Sequence, residues 1–155
     1  MPSNIEIIPF SEALAGHFTR LNTYWLEKFF VVEPVDHEML GNPKQFFIDK
    51  GGFIFFATIN KAIAGTFALL KESDKVYELS KMAVAEEYQG RKIGNRMIEF
   101  CIAKARELNI DKIILYSNTK LEPAIHLYKK YGFTEVPGTG SVYKRSDIKM
   151  ELVIR

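Results

Sequence analysis

The chain has 155 residues, 47% of them hydrophobic and 26% charged, with 21 Lys and Arg against 19 Asp and Glu. A chain of this length buries about 68–70% of its unfolded surface and needs no metal or disulfide staple. Its ordinary balance excludes a disordered or collagen-like chain, and a net charge of +2 predicts no broad nucleic-acid or acidic-membrane affinity.

The opening segment, Ile5 to Phe10, is short, apolar and ended by Pro9, as an edge strand would be. Ser11 offers an N-cap, and Leu14, Phe18, Leu21, Trp25 and Phe29 follow at helical spacing. Pro34 is expected to stop that helix, and Asp36 to cap a second one that breaks near Gly41-Asn42-Pro43. Three strand-like runs come next, Phe53 to Ile59, Ile63 to Leu70 and Val76 to Val84, the first two joined by Asn60-Lys61 as a hairpin. After Gln89 the period changes: Ile93, Met97, Ile98, Cys101, Ile102, Ala105 and Leu108 share one helical face. Lys112 to Tyr116 reads as a buried strand. A further helix opens at Pro123 and closes at Gly132, and Ile148 to Ile154 is the last strand. The predicted order is βααβββαβαββ. It implies an α/β (α+β) fold, one domain over residues 1–155, with a mixed central sheet and helices on both faces.

Phe53 to Ile59 is far shorter than the roughly 20 residues of a membrane span. Glu6 interrupts the first apolar stretch and no basic region precedes it, unlike a cleavable leader. Cys101, the one cysteine, has no disulfide partner in the chain, which points to a reducing cytoplasm. It lies on an apolar helix stripe, and no His, Cys and Asp spacing suggests a metal site.

The stretch from Tyr77 to Asn95 carries the chemistry. Tyr77-Glu78-Leu79-Ser80-Lys81-Met82-Ala83-Val84 is a strand, and Gln89-Gly90-Arg91-Lys92-Ile93-Gly94-Asn95 is a turn opening an amphipathic helix. Free N–H groups and a partial positive charge suit a helix N-terminus to phosphate, and Arg91 and Lys92 add charge. From spacing alone, an ordinary glycine turn with solvated basic residues fits equally well. A P-loop would need Gly-Lys-Ser/Thr, and a Rossmann turn Gly-x-Gly-x-x-Gly; neither is present.

Gln89 to Gly94 resembles the Q/R-x-x-G-x-G/A motif of the GNAT superfamily of acyl-CoA-dependent N-acetyltransferases, with Lys92 where the first motif glycine is usual. A non-glycine fits there if its backbone stays helical. The resemblance extends upstream to Glu-Leu-x-x-Met-x-Val, and downstream to Asn118 and Ala124-Ile125-His126-Leu127-Tyr128-Lys129-Lys130-Tyr131-Gly132-Phe133. It covers about residues 76 to 135 and implies a GNAT fold whose cosubstrate is acetyl-CoA.

The resemblance assigns backbone contacts with the pantetheine arm to Met82 and Val84, with the Met82 N–H as an oxyanion donor. It gives the pyrophosphate to Gln89, Gly90, Arg91, Lys92, Ile93, Gly94 and Asn95, and it lets Asn118 reach the arm with its amide. Asn118 as a turn cap is the other reading. Glu78, expected on the same strand face as Met82, matches the base position, or else is an exposed strand glutamate. Tyr128 matches the general acid, or else is a core aromatic. Glu33, Asp36, His37 and Glu38 form an acidic cluster that either borders the acceptor site or is a solvated loop. Trp25, Phe29 and Phe30 either line an acceptor pocket or, as the helical spacing favours, are mostly core. The implied partners are acetyl-CoA and a primary amine on a small molecule or peptide, with no nucleic acid, membrane or metal, and a homodimer as the commonest oligomer. A non-catalytic acyl-CoA-binding module is the alternative, and a scaffolding domain a third.

Overall fold

The structure is a computed structural model and describes residues 4–138 and 141–154. β1 (Ile5–Pro9) leads through a short 3-10 turn into α1 (Ala15–Phe29). Then come α2 (Pro34–Gly41) and a π turn at Lys44–Ile48. β2 (Phe53–Ile59), β3 (Ala62–Lys71) and β4 (Val76–Val84) are followed by α3 (Ile93–Glu107). β5 (Lys112–Ser117), α4 (Glu122–Lys130), β6 (Thr134–Val136) and β7 (Ile148–Val153) complete the chain. This is the predicted order.

One seven-stranded sheet runs β1-β2-β3-β4-β5-β7-β6. The β2–β3 hairpin turns on Asn60 and Lys61, both at positive φ, as a tight two-residue connection requires. Among the described residues the one parallel pair is β4–β5, because α3 carries the chain back across the sheet between them. The period-two alternation of β2 feeds two cores. Ile54 and Phe56 face Phe18, Met39 and Phe47 under α1 and α2, whereas Phe55 joins Phe67, Met97, Ile98 and Cys101 under α3 and α4. Each fully buried side chain of this size contributes roughly 1.5–3 kcal/mol.

Three local expectations are corrected. Pro34 does not stop α1, which ends at Phe29; it opens α2, where its fixed φ fits and its missing N–H costs nothing. Glu33, not Asp36, is the N-cap of α2. Asp36 sits at N3 and the two carboxylates accept each other's backbone N–H in a capping box. Ser11 precedes the 3-10 turn without a side-chain cap bond.

Candidate active site

β4 and β5 pair only at Val76–Lys112, Tyr77–Ile113 and Glu78–Ile114. Beyond Glu78 the two strands separate, although β4 continues to Val84 and β5 to Ser117. The Ala85 N–H bonds the Ala64 carbonyl on the β3 side at 2.8 Å. Strand alternation therefore turns the N–H and C=O groups of Val84 and Met82 the other way, into the opening. There the Val84 carbonyl accepts from Trp25 Nε1 at 2.7 Å and from Gln89 Nε2 at 3.3 Å. Both lone pairs are engaged, which leaves the Val84 N–H and the Met82 backbone groups facing the opening.

A β-bulge interrupts β4. Thr66 faces Ala83 and Ala68 faces Ser80, so three steps on β4 match two on β3. The extra residue is Lys81, with φ of 56°. It overturns the expectation that Glu78 and Met82 share a face. Tyr77 and Leu79 before the bulge, and Met82 and Val84 after it, pack toward α3 and α4. Glu78 pairs across the strands with Leu70, which packs toward α1 and α2.

The turn before α3 is poised for an anion. Gly90 (φ of 80°) and Lys92 (φ of 61°, ψ of 26°) both hold left-handed conformations, and no side chain caps the helix. The expectation of a right-handed Lys92 fails: the position demands the conformation that glycine adopts without strain. The amides of Ile93, Gly94 and Asn95 have no intrahelical acceptor, since Arg96 N–H is the first to reach back, to the Lys92 carbonyl. Gly94 also lets α3 approach α4, because a Cβ there would stand 3.1 Å from Leu127 Cδ2. The Arg91 guanidinium lies over the Tyr88 ring at 5.6 Å.

Glu78 is 5% exposed, not a surface glutamate. Burial, a hydrogen bond with the Glu72 carboxyl and its charge push Glu78 up to about 8, against a smaller pull from Lys81. Tyr128 projects from α4 into the core beside Phe133, with ring centroids 5.8 Å apart, and burial pushes its hydroxyl up to about 12. Among the described residues no fully buried side-chain N or O lacks a hydrogen-bond partner. The Tyr128 hydroxyl has none, so it reaches accessible surface. Base and acid candidates therefore lie on opposite faces of the sheet.

The acidic cluster is structural at its centre. Asp36 is fully buried, takes both arms of Arg145 at 2.7 and 2.9 Å, and pairs with the Lys81 ammonium. Burial alone would raise its carboxyl, but the Arg145 and Lys81 hydrogen bonds outweigh burial and hold it at about 2. Glu33 accepts from the Lys144 and Arg145 backbone N–H groups and from the Arg145 side chain. Neither carboxylate is left to attract an amine. Tyr143, with Lys81 and Arg145 within 4.6 Å of its ring centre, hydrogen-bonds Ser80 Oγ and Met39 S. This network escapes sequence reading because Asp36 and Arg145 are far apart in the chain.

Asn118 takes the capping role: its Nδ2 donates to the Arg145 carbonyl at 2.7 Å and its Oδ1 accepts the Lys120 N–H. One amide hydrogen remains for a ligand. Cys101 is buried and its thiol is raised to about 12, so it is inert packing. A cleft of about 740 Å³ opens beside Tyr116, Tyr143, Ser146, Asp147 and Lys149. Tyr116 stands two residues past the Glu78 partner Ile114, on the Glu78 face.

The model of the Acetyltransferase (GNAT) family matches residues 18–133, and the chain belongs to this family. An uncharacterised N-acetyltransferase of Dictyostelium discoideum is 38% identical over 61 residues, 39% of this chain and 28% of that protein. The chain thus spans 28% of the length of that curated relative. A GNAT-family acetyltransferase of Staphylococcus aureus superposes with a TM-score of 0.86 at 22% identity, over 98% of this chain and 100% of that one. A spermidine N-acetyltransferase of Vibrio cholerae, in complex with CoA and spermine, gives 0.72 at 20% identity over 96% and 95%. These likenesses establish the fold, which is the GNAT fold. No helix among the described residues is long and apolar enough to cross a membrane.

Proposed function

We propose that this chain is an N-acetyltransferase, acting as one domain over residues 1–155, that moves the acetyl group of acetyl-CoA directly to a primary amine of a small molecule or peptide. The observation that carries the reading is the opening between β4 and β5. It has an uncapped, cationic helix N-terminus beyond one strand end and a buried carboxyl where the pairing stops. Gln89 to Asn95 hold the pyrophosphate through backbone N–H groups, with Arg91 and Lys92 supplying charge. Met82 and Val84 line the pantetheine arm, and the Met82 N–H points at the thioester oxygen as charge develops there. Asn118 shapes the far wall and offers its remaining amide hydrogen.

An alkyl ammonium with a pKa near 10.4 needs about 4.6 kcal/mol to expose its lone pair at pH 7. Glu78 takes that proton as general base on the sheet face it shares with Tyr116, although Glu78 itself does not line the cleft beside Tyr116 and Tyr143. Its raised value makes it a stronger base than an ordinary carboxylate, although only about one tenth is ionised at pH 7. The amine nitrogen then bonds the acetyl carbon and gives its second proton to solvent, the C–S bond breaks, and Tyr128 protonates the departing thiolate from the opposite face and regains a proton from solvent. A cytoplasmic setting accords with the lone free cysteine.

The test is calorimetry with acetyl-CoA, followed by thiol release with amino acids, polyamines, aminoglycosides and peptides as acceptors. Binding plus thiol release with an amine is expected. Binding with no acceptor turned over makes the chain an acyl-CoA-binding module, and no binding removes the site.

A further inference from the structure

An acceptor that enters as an ammonium has three nitrogen protons, and its amide product keeps one. Transfer to it from acetyl-CoA leaves one proton on the CoA thiol and one to be discharged per turnover. If Glu78 is the base, as proposed above, that surplus proton sits on a carboxyl only 5% exposed. It must leave before the next cycle.

Four ionisable side chains face Glu78: Glu72 from the β3–β4 connection, Lys81 from β4, Tyr116 from β5 and Tyr143 from the 141–147 loop. Burial lowers Lys81, but its nitrogen is committed to the ion pair with Asp36. The hydroxyl of Tyr143 is committed to Ser80 and Met39. Burial and Glu78 push both tyrosines up, with Glu72 adding to the effect at Tyr116 and Asp36 at Tyr143, so they stay neutral and are poor proton acceptors. Glu72 differs. Leu70 lies opposite Glu78, and two residues further along, Glu72 returns to the same face. Its N–H and that of Ser73 bond the Val76 carbonyl at 3.0 and 3.1 Å, which fixes the hairpin that presents it. Glu72 is exposed to solvent, and the register sets its carboxyl beside that of Glu78 on one face of the sheet, where it favours the protonated form of Glu78. Two ionised carboxylates have only acceptors, so a hydrogen bond between this pair is one that shares a proton.

We propose that Glu72 is the proton exit of the reaction, taking the proton from Glu78 across the shared hydrogen bond and releasing it to water at the 72–75 hairpin. The step breaks the O–H bond on Glu78 and forms one on Glu72. Loss of that proton to water restores the ionised base.

The experiment is steady-state thiol release with acetyl-CoA and the amine turned over fastest in the acceptor panel, for wild type, Glu72→Gln, Glu72→Asp and Glu78→Gln. Imidazole buffer is varied at fixed pH and ionic strength. Glu72→Gln is expected to lower kcat by roughly 10²-fold, the low end for a positioned acid–base group. Rising imidazole should restore it in a saturable way, because a small buffer carries the proton the side chain no longer can. Wild type should show no buffer dependence, and Glu72→Asp should keep most of kcat. A Glu72→Gln variant with unchanged kcat, or with a loss that imidazole does not relieve, overturns the exit while an impaired Glu78→Gln leaves the base in place. A Glu78→Gln variant as active as wild type overturns both.

Discussion

The Trp25 indole N–H donates to the Val84 carbonyl over 2.7 Å, tying α1 to the last residue of β4 at the mouth of the opening. The ring also stacks on Phe29, with centroids 5.6 Å apart and planes 6° from parallel. Trp25→Phe keeps an aromatic ring and removes the donor. It should cost about 1 kcal/mol of stability, the usual net worth of such a bond. Acetyl-CoA affinity, read by calorimetry, should fall several-fold as the Val84 backbone loses its anchor. Unchanged affinity would make Trp25 simple packing.

Lys92 adopts a left-handed conformation that costs a side-chain-bearing residue roughly 1–2 kcal/mol. Lys92→Gly removes that strain but adds freedom to the unfolded chain. We expect a net gain of about 0.5–1 kcal/mol in thermal unfolding, with acetyl-CoA binding retained. Loss of binding would show that the Lys92 ammonium, not the backbone, carries the phosphate.

Asp36 holds the buried network together. Asp36→Asn leaves Lys81 without its counter-charge and Arg145 with Glu33 alone, and should cost about 3–5 kcal/mol in chemical denaturation. The native carboxyl lies at about 2, below its ordinary 3.8. Its stabilisation is therefore present above about pH 4 and is lost as pH falls toward 2. Wild type should lose stability in that window, and Asp36→Asn should lose less. A variant as stable as wild type at pH 7 would contradict the role.

The strand and helix order was legible because apolar residues repeat at periods of two and 3.6, and because glycine and proline punctuate them. The bulge at Lys81 was not. The alternation of Tyr77 to Ser80 breaks at Lys81, where two polar residues adjoin, but it takes the register against Thr66 and Ala68 to identify the extra residue. Pro34 was misplaced because proline both ends and begins helices, and a four-residue gap separates α1 from α2. Of the site, the glycine turn that opens α3 was readable from local spacing, whereas its phosphate role came only from the family resemblance. The pairing of Asp36 with Arg145, and of Glu78 with Glu72, depends on loops and registers that no local pattern records.

Glu78 has the opposite linkage to Asp36. Its folded value is raised, so the native state binds the extra proton between about pH 4.5 and 8, and stability falls as pH rises through that window. Glu78→Gln removes the cost of a buried charge. Thermal unfolding should find the variant close to wild type at pH 5 and more stable at pH 9. A variant that loses stability equally at both would mean that Glu78 is held ionised by its neighbours.

The base assignment is tested most directly by kcat/KM of wild type and Glu78→Gln across pH 6 to 9, with acetyl-CoA saturating and the fastest amine of the panel varied. Wild type should climb by close to tenfold per pH unit and level near pH 8, where the base becomes ionised. Glu78→Gln should lie roughly 10²–10⁴-fold lower at pH 7 and lack that bend, with acetyl-CoA affinity unchanged. A Glu78→Gln profile within threefold of wild type throughout would contradict the account.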